Sequence, residues 1–202
     1  MKIKMLIAAA AFVSFNASAA ETYVGFGWGA SEFDTQTKAV TAKLDTDDDA
    51  FKFFVGYEFS ENIAVEGFYA DLGKGTLTGN AGDTYIRQGR ELAILDDGLK
   101  LAGEQDTFGA AFIFSTNEYN GWKGFAKLGA HRWSYDQKTF VNGVFDAADT
   151  QGNSSGTNLM YGLGGSYAAT ERVSLRLEYE HFDTNNGGAK TDLISLSVAF
   201  GF

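Results

Sequence analysis

Apolar and polar side chains alternate one by one along much of this chain, and this pattern restricts the fold more than any other sequence feature. Residues that alternate with a period of two lie on opposite faces of a β-strand. The pattern is clearest at the end of the chain, where apolar side chains alternate with small or polar ones between Ile194 and Phe202. We predict eight strands, at residues 22–33, 51–59, 62–72, 106–115, 121–134, 157–168, 172–183 and 191–202.

The predicted connections between these strands alternate strictly between short and long. The long connections are residues 34–50, 73–105 and 135–156, followed by the shorter 184–190. A soluble β-sandwich has no reason to place every long loop at one end, whereas an outer-membrane barrel has short periplasmic turns and longer external loops. The sequence therefore predicts an all-β fold, an eight-stranded antiparallel up-and-down transmembrane β-barrel with both termini on the periplasmic side.

The first twenty residues have the layout of a secretory signal peptide. Lys2 and Lys4 precede the apolar segment Met5 to Val13, and the small residues Ala17-Ser18-Ala19 follow it. This apolar segment is far shorter than the roughly 20 residues that a spanning helix needs. We therefore predict a signal peptide at residues 1–20 and a β-barrel at residues 21–202, exported to the bacterial outer membrane.

The polar faces of the predicted strands are rich in glycine and carry charges of both signs. The interior of an eight-stranded barrel is narrow and needs small residues, and buried ions there must be paired. A solvated face of a soluble sandwich is the alternative interpretation. On the barrel hypothesis, four basic and four acidic residues form an interior charge network: Lys52, Lys123, Lys127, Arg176, Glu58, Glu66, Glu178 and Glu180.

The overall charge and the absence of cysteine exclude several classes of function. The chain has 16 basic and 26 acidic residues, for a net charge of −10, which argues against a nucleic-acid partner. Because cysteine is absent, there is no disulfide, thiolate metal site or cysteine nucleophile. We predict no cofactor.

Several stretches resemble the outer-membrane β-barrel family that includes the OmpA-type transmembrane domain. The likeness is carried by residues 23–29, 55–59, 62–72, 175–182 and 195–202, and it extends over essentially the whole mature chain. It implies a barrel in the outer membrane and indicates little about activity. Because the chain stops at Phe202, we expect no periplasmic peptidoglycan-binding domain.

The resemblance also implies a role for the last strand. In the family, a C-terminal strand that ends on phenylalanine is the recognition signal for the outer-membrane assembly machinery. The corresponding apolar residues here are Ile194, Leu196, Val198, Phe200 and Phe202.

Two histidines are the only candidates for a general base of a lipid-modifying enzyme. His131 is predicted to face the interior and His181 to face outward, and neither has a serine two residues further along the strand. We therefore predict that the protein is not an enzyme and keep a lipid-modifying activity as an alternative.

The acidic run of residues 45–49 begins like a calcium-binding EF-hand loop. Ala50 and Gly56, however, replace the glycine and the glutamate that such a loop requires. We predict no metal site there, although a loose divalent-cation bridge to lipopolysaccharide phosphates is left open.

The longest predicted loop, residues 73–105, is the best candidate for a recognition surface. Its centre, from Tyr85 to Leu101, is apolar enough for a short helix or a hairpin above the membrane. The sequence thus favours a structural or surface-interaction barrel, which contacts outer-membrane lipid, lipopolysaccharide and a host or matrix ligand. A small ion channel through the charge-paired interior is the alternative.

Overall fold

A computed structural model describes residues 22–35, 37–87, 91–146, 154–184 and 190–202. The predicted signal peptide lies outside the described residues. Eight long strands form a barrel: β1 (Thr22–Asp34), β2 (Asp47–Ser60), β3 (Ile63–Gly79), β4 (Leu99–Ser115), β5 (Trp122–Val141), β6 (Ser154–Ala168), β7 (Val173–Phe182) and β8 (Lys190–Gly201). Consecutive strands pair antiparallel, and β8 pairs with β1 from Gly201 opposite Tyr23 to Lys190 opposite Asp34, which closes the barrel. The predicted fold class is confirmed.

The alternating pattern builds a barrel whose apolar face points outward. Phe53 and Leu163 are 62% and 64% exposed, and similar large apolar side chains surround the barrel. Exposing them to water would cost about 25 cal/mol for each Å² of apolar surface. The inward face of the same strands is buried and holds charged residues such as Lys52 and Glu66. This arrangement suits a wall that faces lipid and encloses a polar interior.

Three strands extend well beyond the predicted boundaries, so the predicted loop of residues 73–105 is largely strand. β3 continues to Gly79, β4 begins at Leu99 and β5 continues to Val141. The outward positions of these extensions carry charges, and Lys138 pairs there with Glu104 at 3.2 Å. Above the lipid the outer face needs no apolar residues, so the hydrophobic alternation stops while the backbone hydrogen bonds continue.

A β-bulge redirects β3 where it leaves the band of lipid-facing residues. Pairing with β4 shifts register between Asp71 and Lys74, and Gly73 has a φ of +77°. The carboxylate of Asp48 accepts a 2.8 Å hydrogen bond from the amide of Lys74. Beyond this bulge, β3 pairs with the short strand Lys43–Asp45, so the predicted loop 34–50 lies partly against the barrel wall.

A separate three-stranded sheet lies on the external side. It consists of Lys38–Ala39, Thr84–Arg87 and Glu91–Ile94 in that order, and it contains the hairpin suggested by the apolar centre of residues 73–105. A last short strand, Val144–Phe145, turns back against the end of β5. Among the residues that the structure describes, no helix is long and apolar enough to cross a membrane.

Candidate functional site: the barrel interior and the external sheet

Six charged side chains meet in the middle of the barrel, three basic and three acidic. All are buried, and their formal charges cancel. The members are Lys52, Lys127, Arg176, Glu66, Glu178 and Glu180.

The two lysines bridge carboxylates from different strands. The Lys127 Nζ lies 2.7 Å from Glu66 Oε1 and 3.1 Å from Glu180 Oε1, and it also contacts Glu178. The Lys52 Nζ lies 3.0 Å from Glu178 Oε2 and 2.5 Å from Glu180 Oε2. The pairs thus connect β2 and β5 with β3 and β7 across the interior, so each lysine ties together distant parts of the wall.

Arg176 completes the network on its periplasmic side. Its Nη1 donates to Glu66 Oε2 at 2.9 Å, and its Nε lies 3.3 Å from Glu178 Oε1. The guanidinium carbon lies 4.7 Å from the ring centre of Phe54 and 4.8 Å from that of Phe125. The aromatic faces therefore contribute cation–π attraction and keep this cation out of bulk water.

Inward glycines make room for the aromatic side chains of this layer. A Cβ on Gly56 would lie 2.0 Å from the Cζ of Tyr23, and one on Gly164 would lie 2.4 Å from the Cζ of Phe125. Any larger residue at these positions would displace the ring. Tyr23 also donates a 3.2 Å hydrogen bond to Glu66, so its placement is linked to that of the charge network.

Two residues of the predicted network, Glu58 and Lys123, lie nearer the periplasmic turns than the six central charges. Both line a vestibule of about 190 Å³ at the periplasmic end of the barrel, which Arg176 also lines. Both are partly exposed. Strand periodicity predicts which face a residue occupies but not its height along the barrel, so the sequence could not separate these two from the central cluster.

An apolar layer lies on the external side of the network. The inward face of β7 runs from Arg176 through Glu178 and Glu180 to Phe182, which is fully buried. The Phe182 ring lies 5.9 Å from the ring of Phe68. Three further members of this apolar layer are fully buried: Met160, Leu72 and Leu193. The sequence interpretation missed this layer because these residues occupy the face that was read as polar.

A hydrogen-bonded layer follows on the external side. His131 bonds to Thr107 Oγ1 at 2.7 Å through Nδ1 and to the carbonyl oxygen of Asp183 at 2.8 Å through Nε2. Trp133 donates to the Asn158 Oδ1 at 2.9 Å. Together with the charged and apolar layers, these contacts fill the interior with side chains, as expected for a barrel of this strand number.

The sequence matches a family model described as the outer membrane protein beta-barrel domain, over residues 5–202. The chain belongs to the outer membrane protein beta-barrel family. It is accordingly an integral protein of the outer membrane, as predicted. No match was found among curated protein sequences.

Solved structures with the same fold support the assignment of this outer-membrane barrel. Ail of Yersinia pestis, in complex with the heparin analogue sucrose octasulfate, has 19% identity and a TM-score of 0.54, with 92% of this chain and 100% of Ail covered. OprG of Pseudomonas aeruginosa has 12% identity and a TM-score of 0.60, with 91% and 96% covered. The N-terminal barrel of Pseudomonas aeruginosa OprF has 13% identity and a TM-score of 0.52, with 90% and 97% covered. At these identities the likeness concerns the fold.

The second histidine of the barrel lies on its outer face. His181 Nδ1 lies 2.6 Å from Asp192 Oδ1, and its ring stacks on Tyr161 with 4.9 Å between ring centres. The polar contacts of the two histidines thus include a threonine hydroxyl, a backbone carbonyl and a carboxylate. Within the described ranges, no group of three or more His, Cys, Asp or Glu side chains is arranged to hold a metal ion.

The predicted assembly signal lies on the outward side of β8 and at the residue after it. Ile194, Leu196, Phe200 and Phe202 are exposed, and Val198 is half-buried in the same row. The geometry presents these side chains to the outside of the barrel. Recognition by the assembly machinery stays a prediction.

Proposed function

We propose that this outer-membrane barrel works through its external surface, as a surface-interaction protein whose wall also contributes to membrane integrity. The observation that carries the proposal is the external three-stranded sheet, which presents large apolar side chains to water beyond the lipid-facing band. Those that are at least half exposed are Val40, next to this sheet, and Leu92 and Ile94 on its edge strand. Exposed apolar groups that are rimmed by polar residues are typical of protein interaction sites.

The charge of the external segments indicates the chemistry of the partner. Residues 34–50, 73–105, 135–156 and 184–190 contain thirteen acidic and eight basic residues. The heparin analogue bound to Ail is a polyanion, and an acidic surface repels such a ligand. We therefore expect a host or matrix partner with basic residues at its contact surface. The wall contacts lipid and lipopolysaccharide, and the last strand is our proposed contact for the assembly machinery.

The packed interior argues against the alternative of an ion channel. An ion entering the periplasmic vestibule would meet the paired charges around Arg176 and then the buried Phe182 and Met160. Passage would require the charge pairs and the apolar layer to open together. A lipid-modifying activity gains no support from the hydroxyl that lies beside a histidine, because Thr107, 2.7 Å from His131, and His131 itself are both buried in the packed interior.

Replacing the external hairpin should abolish partner binding and leave the barrel folded. Gly79 of β3 lies opposite Leu99 of β4, so residues 80–98 can be exchanged for an Asn-Gly turn that closes the same register. We expect cells that carry this variant to lose adhesion to mammalian cells and to immobilised basic matrix proteins. A heat-modifiable gel shift would show that the barrel still folds.

A matched control keeps the hairpin and changes the other exposed apolar tip. Val144→Thr with Phe145→Thr should retain adhesion close to that of the unchanged protein. Equal adhesion of the hairpin replacement and the unchanged protein, at equal surface amounts, would contradict the proposed function.

A further inference from the structure

The external sheet ends on an edge strand whose far side is open. In the three-stranded sheet, Thr84–Arg87 lies in the middle and Glu91–Ile94 lies at one edge. Among the described residues, no strand pairs with the other side of Glu91–Ile94. An edge of this kind presents unpaired backbone donors and acceptors, which can pair with another extended chain.

The hydrogen-bond pattern identifies which residues face the open side. The amide of Leu95 donates to the carbonyl of Asp83 at 2.8 Å, within the hairpin. Because antiparallel residues alternate between bonded and non-bonded positions, Ala93 also points its backbone groups into the hairpin. Leu92 and Ile94 therefore direct their N–H and C=O groups away from it, toward the open side.

The same two residues carry exposed apolar side chains. The side chains of Leu92 and Ile94 are 63% and 64% exposed. They lie on the same face of the sheet, because they are two residues apart in one strand, where they pair with Ile86 and Thr84. Natural edge strands are usually protected by charged residues or by proline at such positions. This strand has neither at these two positions.

One end of the edge carries negative charge and is held in place. Asp96 and Asp97 are exposed just beyond the apolar pair, whereas Glu91 at the other end follows Arg90 in the sequence and lies opposite Arg87 in the pairing register. Leu95 is buried and packs beside Gly79, which anchors the end of the strand to the barrel wall. A partner that pairs here would therefore meet a preformed strand with an acidic end at Asp96 and Asp97.

We propose that Glu91–Ile94 binds an extended polypeptide segment by β-strand addition. Backbone hydrogen bonds form with Leu92 and Ile94. Two apolar side chains of the segment, separated by one residue, cover those of the edge, and basic residues beside them pair with Asp96 and Asp97. This inference rests on the proposed surface function and names its binding mode and its class of partner.

The test uses a fluorescein-labelled peptide, Lys-Lys-Val-Thr-Ile-Lys-Lys, and the full barrel in phosphatidylcholine nanodiscs. Fluorescence anisotropy should show saturable binding that empty nanodiscs do not give. Ile94→Pro removes one outward amide while the hairpin bonds remain, because proline is tolerated where a strand N–H faces solvent. We expect Ile94→Pro to weaken binding by about tenfold or more, the loss expected when an edge hydrogen bond and its neighbouring contacts are removed.

Two comparisons separate strand addition from simple charge attraction. Val144→Thr, on the other external tip, should leave binding unchanged. A peptide that is N-methylated at its valine, threonine and isoleucine should give no more signal with the barrel than with empty nanodiscs, because its centre can donate no backbone hydrogen bond to the edge. Equal binding to Ile94→Pro and to the unchanged protein would overturn strand addition at this edge, as would the absence of peptide binding. Neither result bears on the adhesion experiment with the hairpin replacement. Failure of strand addition can therefore be told apart from failure of the proposed surface function.

Discussion

Replacement of Lys127 by methionine is expected to lower the free energy of unfolding by about 3–5 kcal/mol, the usual loss when one partner of a buried ion pair is removed. Lys127 contacts all three buried carboxylates, so its loss leaves Glu66, Glu178 and Glu180 with an uncompensated negative charge. Equilibrium urea unfolding of the refolded barrel in detergent micelles, followed by tryptophan fluorescence, would measure the effect.

The control for Lys127→Met is a second lysine on the same strand and the same inward face. Lys123→Met changes a partly exposed lysine that lines the periplasmic vestibule, where we expect a loss of less than about 1 kcal/mol. The double variant Lys127→Met with Glu180→Gln restores neutrality and should recover much of the lost stability. Equal losses for Lys127→Met and Lys123→Met would show that the network does not stabilise the barrel.

The second large effect is expected from Phe182→Ala, which removes one of the two packed phenyl rings of the apolar layer. Phe182 is fully buried and packs against Phe68 and the ring of His131, whose centre lies 5.3 Å away. Truncating a buried phenylalanine leaves a cavity and costs about 3–5 kcal/mol. The same unfolding measurement would test this value.

A phenylalanine on the lipid-facing side provides the comparison. Phe53 is 62% exposed, so Phe53→Ala leaves a space that lipid or detergent can fill. We expect a clearly smaller loss of stability than for Phe182→Ala. Similar losses for the two variants would contradict the assignment of Phe182 to a sealed interior.

The sequence predicted the barrel wall well because lipid on one side and a narrow interior on the other impose opposite requirements on alternate residues. Where lipid ends, this constraint ends too, so the external parts of β3, β4 and β5 could not be recognised from hydrophobic alternation. The backbone pairing of Gly79 with Leu99 is visible only in the structure.

The interior shows a similar limit. The sequence indicated that Lys127 and Glu66 share the inner face, and the structure brings them to 2.7 Å. Periodicity contains no information on shear between strands, which decides that Lys52 meets Glu180 while Glu58 and Lys123 lie at the vestibule. Phenylalanines on the charged face, Phe68 and Phe182, were the one available signal for the apolar layer.

Single-channel conductance of the refolded protein in a planar bilayer tests most directly whether the barrel is sealed and acts through its external surface. A heat-modifiable gel shift would first establish that the inserted protein is folded. The packed charge and apolar layers predict a silent bilayer for the unchanged protein. Discrete openings of the folded barrel, with a conductance that changes in Arg176→Ala, would contradict this account and place the function in the interior.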